Sequence, residues 1–416
     1  MVSDARPPYR PRLLDPLVDE LFTQLSALMV IGPRAAGKTT TAARRAASTV
    51  RLDREDEATA FAADPDAALR GLPEPVLLDE WQAVPGVLGA VKRAVDADSH
   101  RGRFMLTGSV RAELENAVWP GTGRLVRVAM YPMTVGEQVG RIDGPAFFDR
   151  LADGGELTAG TDPPDLRGYV ELALRSGFPE AALRLSGQPR QAWLESYVDD
   201  LLTHDIEATE DRRRDRQRLR RYFEAYALSS AGVAGHKTIY DAAEVNKATA
   251  GAYEGLLEGL LVAEAVPAWR SNRLKRLVHQ PKRYLVDPAL IAAALRTDVA
   301  GVMRDGDLLG RVLDTFVAAQ LRPELAVSAS RPRLHHLRTE QGRHEIDLIG
   351  ELAGGQLIGI EVKAGSAVTA ADARHLAWLR DELGDRFAAG TVLHTGSRVY
   401  SLGEKIVAAP IATLWA

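Results

Sequence analysis

Along the first 130 positions the apolar residues come in short bursts. LMVI (28–31), VRLD (50–53), VLLD (76–79), RFML (103–106) and LVRVAM (125–130) each stand between polar or glycine-bearing stretches. Runs this short, bounded by turn residues, predict buried strands. Residues 12–26 and 38–47 carry helical spacing between them. Strands alternating with helices predict a parallel α/β sheet. From about 135 to 210 the apolar positions recur every three or four residues, which predicts helices, with a loop at DGGELTAGTDPP (153–164). Residues 215–290 predict three short helices and a hairpin. The block 308–416 reads as helix, strand, strand, helix, strand. The boundaries that follow are 1–140, 141–214, 215–300 and 301–416.

Composition narrows the class. A chain of 416 residues is too long for one ordinary core. With 46% hydrophobic and 26% charged residues it is globular rather than disordered. No apolar run reaches the roughly 18 residues of a membrane span. The N-terminus, MVSDARPPYRPRLLDP, has charge and proline where a signal peptide needs an apolar stretch. There are no cysteines, so disulfides and thiolate chemistry are excluded. A cytoplasmic location is the expectation. The net charge of −4 rules out a uniformly basic surface but leaves room for basic patches.

GPRAAGKT (32–39) satisfies G-x-x-x-x-G-K-[ST] at every fixed position, after an apolar strand and at the start of a helix. Gly32 and Gly37 let the backbone turn N–H groups of Pro33-Arg34-Ala35-Ala36 and their neighbours inward around phosphates. The helix N-terminus, from Lys38 through Thr39 and Thr40, adds positive potential. Lys38 is placed for the β- and γ-phosphates of ATP, and Thr39 offers a hydroxyl to Mg²⁺. VLLDE (76–80) puts Asp79 at a strand's C-terminal end near that Mg²⁺, with Glu80 beside it to orient and deprotonate water. If the strand RFMLTGS (103–109) lies beside the first strand, Thr107 or Ser109 faces the γ-phosphate or the water. Arg124 reads either as a surface arginine or as an arginine finger.

These pieces resemble a large prokaryotic family of AAA-type ATPases joined to a C-terminal restriction-endonuclease-like domain. The matching segments are GPRAAGKTT, VLLDEWQ, RFMLTGS, the YPMTVGE segment, RSGFPEAAL, WLESYVDDLLTHDI, PKRYLVD and the C-terminal EID…IEVKAG. The resemblance implies ATP binding through the first two motifs and a sensor role at the third. The sequence departs from the family after the sensor strand, where WPGTGR replaces the usual Ser-Leu-Ala-Gly-Arg run.

HEIDLIGELAGGQLIGIEVKAG (344–365) predicts a hairpin with Asp347 on one strand and Glu361 and Lys363 on the next. The spacing matches the PD-(D/E)XK nuclease core, where two carboxylates hold Mg²⁺ and the lysine activates water. Alternation places Ile358, Ile360 and Val362 on one face and Ile346 and Leu348 with them, so Asp347 must join Glu361 and Lys363 opposite. That register needs a three-residue loop, or a bulge, near Ala353–Gly355. In the family a glutamate usually completes the metal site from the preceding helix; Asp314 stands there. The chain holds 44 arginines and 8 lysines. A lysine is therefore an exception, and Lys38 and Lys363 both fall where a point charge rather than a guanidinium is required.

The order of elements over 215–300 is that of a winged helix-turn-helix. DRRRDRQRLRR (211–221) holds seven arginines, most of them opposite the stripe Leu219, Tyr222, Phe223, Tyr226. They read either as a solvated helix face or, with Lys247, Thr249, Arg270, Arg273, Lys275, Arg276, Lys282 and Arg283, as a DNA-backbone contact. Two readings of the whole remain open. One is an ATPase whose nucleotide state controls a nuclease-like domain acting on DNA. The other is a nucleotide-dependent switch or assembly protein with an inactive nuclease fold that binds DNA or a protein partner. Homo-oligomerisation is open, with Arg124 as a finger from a neighbouring subunit.

Overall fold

The computed structural model describes residues 8–109, 123–207, 216–233, 235–270, 280–339 and 342–416. Its N-terminal sheet has five parallel strands: β1 (Ala27–Ile31), β2 (Ser48–Arg51), β3 (Val76–Asp79), β4 (Phe104–Gly108) and β5 (Leu125–Ala129), ordered β2-β3-β4-β1-β5. β1, β3 and β4 are buried at every residue, as continuous apolar runs in a sheet covered on both faces must be. One core lies on each side of this sheet. Phe61, Trp81, Val91 and Leu106 belong to one, and Val18, Phe22, Leu28 and Leu77 to the other. β4 lies between β1 and β3, so the strand carrying Thr107 touches both motif-bearing strands. The helix after the glycine loop is Lys38–Ala43, shorter than the expected 38–47. The chain leaves it to donate the Ala47 N–H to the Pro75 carbonyl at 2.8 Å and enter β2.

Helices Phe147–Ala152, Leu166–Arg175, Pro179–Leu183 and Gly187–Glu207 follow. Helices Arg216–Leu228, His236–Ala242 and Lys247–Gly259 come next, then an antiparallel pair, β6 (Ala263–Val266) with β7 (Lys282–Leu285). Asn246 caps the third of these helices by accepting from the Thr249 N–H. The C-terminal sheet is mixed. β8 (Arg333–Arg338), β9 (Glu345–Glu351), β10 (Leu357–Val362), β11 (Phe387–His394), β12 (Tyr400–Gly403) and β13 (Ile406–Pro410) take the order β12-β13-β11-β10-β9-β8. The long helix Gly306–Leu325 precedes it and Arg374–Leu383 lies between β10 and β11. Three of these strands, β8, β12 and β13, go beyond the expected pattern.

The hairpin register pairs Leu357 with Glu351 and Ile360 with Leu348, and the Leu352 N–H donates to the Gln356 carbonyl at 2.9 Å, leaving Ala353, Gly354 and Gly355 as a three-residue loop. Gly355 has φ +77° and its N–H returns to the Leu352 carbonyl at 2.8 Å, a left-handed position that glycine fills without strain. The alternation expected on β9 does not hold. The β8–β9 register shifts between His335 and Leu337, opposite Asp347 and Leu348. An extra residue on one strand breaks the two-residue period. Ile346 therefore packs with Trp269 and Ile349, while Leu348 packs with Ile358 and Ile360 in a different core.

A single apolar cluster runs from Val135 to Leu414. It joins the helices after residue 147, the three-helix segment and one face of the C-terminal sheet. The segment Pro267–Trp269 continues from β6 to the outer edge of β8. There the His336 N–H donates to the Pro267 carbonyl at 3.1 Å and the Trp269 N–H to the His336 carbonyl at 2.7 Å.

Candidate functional site

The glycine loop leaves β1 at Ile31. A Cβ on Gly32 would come 2.1 Å from the Met130 carbonyl oxygen, so only glycine lets the backbone pass there. Gly37 sits at φ +99° as the residue before the helix. Lys38 is 4% exposed, and its ammonium donates to the carbonyls of Gly32 (3.0 Å) and Pro33 (2.9 Å) and to Ser109 Oγ (2.8 Å). All three of its protons are thus taken, two by the loop and one by the residue that follows β4. Burial lowers its pKa to about 8, against the pull of Glu80 and Asp79. Asp79 Oδ1 accepts from Thr39 Oγ1 at 2.7 Å and from the Thr107 hydroxyl. Glu80 follows at φ +54°, accepting from Ser109 Oγ at 3.3 Å and from the Gln82 amide. The structure thus gathers six predicted side chains around the loop Gly32-Pro33-Arg34-Ala35-Ala36-Gly37 in two hydrogen-bonded sets, Lys38 with Ser109 and Glu80, and Thr39 with Asp79 and Thr107. Thr40 follows on the helix. The Thr39 hydroxyl beside the Asp79 carboxylate is an oxygen-donor pair suited to a hard dication.

Arg124 lies elsewhere. β5 runs parallel to β1, with Leu125 beside Ala27 and Ala129 beside Ile31. Arg124 therefore precedes the end of the sheet opposite the loop, separated from it by about 16 Å of strand. Its guanidinium donates to Asp96 Oδ1 at 2.8 Å. A finger acting on its own chain's loop is out of reach.

The second group lies in the C-terminal domain. The Lys282 ammonium, from β7, donates to Asp314 Oδ2 at 2.5 Å and Asp347 Oδ1 at 3.0 Å. Tyr284 OH donates to Asp314 Oδ1 at 2.9 Å, and the Val362 N–H to Asp347 Oδ2 at 3.0 Å. The ladder between β9 and β10 ends at Ile360, so the Asp347 carboxylate takes the N–H that the next backbone pair would have used. Lys363 donates to Glu361 Oε2 at 3.0 Å, while Glu361 Oε1 is buried with no hydrogen-bond partner among the described residues. Asp314 and Asp347 keep the Lys282 ammonium well above its ordinary pKa despite full burial. Burial pushes Asp347 up, but Lys282 and the Val362 N–H hold its carboxyl below the usual range. Burial, then the Asp347 charge, push Glu361 up to about 8.

The carboxylates expected to hold a metal are engaged within the protein. All four oxygens of Asp314 and Asp347 already accept hydrogen bonds, and a lysine stands between them. Among the described residues no three histidine, aspartate or glutamate side chains come together as a metal set. The donor set as it stands does not fit a divalent cation. Lys282 and Arg283 also leave the expected DNA contact. Lys282 is 2% exposed, and Arg283 is buried against Glu254. On the basic helix Arg220 and Arg221 pair with Asp199 and Glu244, and Leu219, Tyr222, Phe223 and Tyr226 are fully buried. Lys247 opens the third helix of that segment and Arg270 is exposed. Arg273, Lys275, Arg276, the arginines before 216 and the WPGT run lie outside the described residues.

Residues 24–139 match the AAA domain family. They form a P-loop ATPase-like domain. Residues 166–300 and 309–414 each match a domain of unknown function, DUF8612 and DUF4143. Uncharacterized proteins of Mycobacterium bovis and Mycobacterium tuberculosis are each 27% identical over 388 residues, which is 92% of this chain and 79% of theirs. A Walker-type ATPase of Pyrococcus abyssi superposes with a TM-score of 0.44 at 14% identity, covering 71% of this chain and all of that one. No helix among the described residues is long and apolar enough to cross a membrane.

Several residues around the loop had not been singled out from the sequence. Arg12, 4% exposed, donates to the Ala36 carbonyl inside the loop (2.8 Å), the Tyr131 carbonyl (2.7 Å) and Glu137 Oε1 (2.9 Å). Glu137 closes a capping box with Thr134, and the Val135 N–H donates to Gln320 on the long C-terminal helix at 2.7 Å. The T-x-x-E signature is legible in YPMTVGE; its partner Arg12, 125 positions away, is not. Pro179 and Tyr197 reach the loop from the helical segment, the tyrosine donating to the Arg34 carbonyl at 3.3 Å. Lys282 did carry a signal: it is another rare lysine.

Proposed function

We propose that the protein is a Mg²⁺-dependent ATPase whose nucleotide state is relayed to its C-terminal domain. The observation that carries the first half is the shared group at Asp79. Hydroxyls from the loop helix and from the neighbouring strand meet on one carboxylate, with a buried lysine and a second acid alongside. Thr39 and Asp79 would hold Mg²⁺, which when bound neutralises charge between the β- and γ-phosphates. Lys38 exchanges its loop carbonyls for phosphate oxygens. Glu80 orients the attacking water, and Ser109, bonded to both Lys38 and Glu80, senses the γ-phosphate.

The relay is supported by contacts on two sides of the loop. Arg12 and Glu137 lead to Gln320 on the helix that also carries Asp314. A small cavity lined by Gly32, Pro33, Tyr131 and Val286 sets the loop against the end of β7, four residues from Lys282. The helices and hairpin over 215–300 support a winged-helix reading in which the hairpin docks on β8. The helix-then-strands order after 306 supports a restriction-endonuclease-like fold. Within it, Lys282 between Asp314 and Asp347 favours the switch over the cleaving enzyme.

Nucleotide binding and steady-state hydrolysis on two variants test the ATPase. Lys38→Ala is expected to lose ATP binding. Glu80→Gln is expected to bind ATP normally and turn over about 10²–10⁴-fold more slowly. Retained binding in the first variant would sink the reading, and normal turnover in the second would remove Glu80 from its role.

A further inference from the structure

We propose that the Lys282 ammonium is the resident cation of the Asp314–Asp347 pair, so that this cluster holds no divalent metal while β7 is in place. The inference stands apart from the ATPase reading, because it concerns only side chains of the C-terminal cluster and β7.

The geometry is specific. Lys282 is 2% exposed and reaches Asp314 Oδ2 at 2.5 Å and Asp347 Oδ1 at 3.0 Å. A dication on the same two oxygens would stand about 2.0–2.6 Å from each, in the space the ammonium fills. The two cannot share that gap, and their like charges would repel across a low-dielectric interior. The remaining oxygens of the pair are closed by Tyr284 and the Val362 N–H. Lys282 and Tyr284 belong to one strand and alternate with Arg283, which is anchored on Glu254. β7 thus delivers the cation and a phenol to Asp314 together. Glu361, 3% exposed with Oε1 unpartnered among the described residues, is paired with Lys363 instead. Two carboxylates face one gap, and a single lysine fills it.

The consequence is a latent metal site. Without the ammonium, Asp314 and Asp347 present two hard oxygens to the same space, enough to hold a divalent ion that keeps several waters. Removing the charge also leaves two carboxylates facing each other, Asp314 buried and Asp347 partly exposed, which strengthens the pull on any dication.

Mn²⁺ binding to nucleotide-free protein tests this, read by electron paramagnetic resonance of the free ion. Wild type and Asp347→Asn are expected to bind the same number of ions, because any weak site at Thr39 and Asp79 is common to both. Lys282→Met is expected to gain one equivalent per chain, and the double variant Lys282→Met/Asp347→Asn to lose it. Mn²⁺ should raise the melting temperature of Lys282→Met by more than it raises that of wild type or of the double variant. An Asp347-dependent ion in wild type would overturn the proposal. So would a folded Lys282→Met, judged by circular dichroism, that gains none. Should that variant not fold, Lys282→Gln takes its place, and the comparison of wild type with Asp347→Asn decides the first claim without either. ATP binding in the same samples reports on Lys38 separately, so the two readings fail independently.

Discussion

Lys38 loses its proton near pH 8 in the free protein, because burial outweighs the attraction of Glu80 and Asp79. Phosphate recognition needs the ammonium. Bound triphosphate adds negative charge beside it and raises its pKa, so binding takes up a proton wherever the pH exceeds that of the free lysine. The sign is therefore fixed: ATP affinity is flat below about pH 7 and weakens as pH rises through 8. Titration calorimetry from pH 6.5 to 9.5, in buffers of different ionisation enthalpy, should show both the weakening and the proton uptake. An affinity unchanged between pH 7 and 9 would contradict it. The residues of this loop were legible because Gly32, Gly37, Lys38 and Thr39 act within eight positions on a backbone that they shape themselves. Arg12 and Lys282 were not. Arg12 is one basic residue among many in its own segment, Lys282 is a rare lysine whose partners lie far along the chain, and each acquires its role from carboxylates that only the fold brings near.

At the scale of elements, the glycines inside β9 and β10 report close packing. A Cβ on Gly350 would meet the Phe148 ring at 2.3 Å, and one on Gly359 the Leu376 methyl at 2.5 Å. Helix Phe147–Ala152 lies against one face of the sheet and helix Arg374–Leu383 against the other. Gly350→Ala forces the Phe148 ring out of a fully buried position, an overpacking cost of about 1–3 kcal/mol. The expected result is a melting temperature lower by several degrees with ATP affinity unchanged; an unshifted melt would show that the helix yields freely. The same packing explains which strands the sequence pattern showed. β1, β3, β9 and β10 are apolar enough to stand out. β8 reads RLHHLR, and β12 and β13 are short and rich in small or polar residues. They are strands because neighbours pair with them, not because their own alternation demands it. The break in alternation at Asp347 was hidden for a related reason: it arises from the β8 register, a strand the pattern did not reveal.

Across the whole molecule the cores do not divide as the motifs do. The N-terminal sheet has its own cores on both faces, but one cluster runs from Val135 through the helices and into the C-terminal sheet. Elements that share a core unfold together. Calorimetry should therefore show at most two transitions, with Mg²⁺ and ATP raising the N-terminal one by mass action. Three separate transitions, or a fragment 301–416 that folds alone as a monomer, would contradict this. A loop such as 153–164 marks where the chain is exposed, not where its side chains cease to share an interior.

The strap Pro267–Trp269 along β8 has a bearing on solubility. An open sheet has two rims of unsatisfied N–H and C=O groups, each a template for another chain. At one rim β12 is four residues long, and its register with β13 is irregular. At the other, His336 spends its N–H and carbonyl on the strap, and Trp269 is buried beside Ile346. Two short segments thus keep a six-stranded sheet from growing a seventh strand out of its neighbour. The hairpin flank that reads as part of a nucleic-acid-binding motif covers part of one rim here and leaves less of it open to another chain.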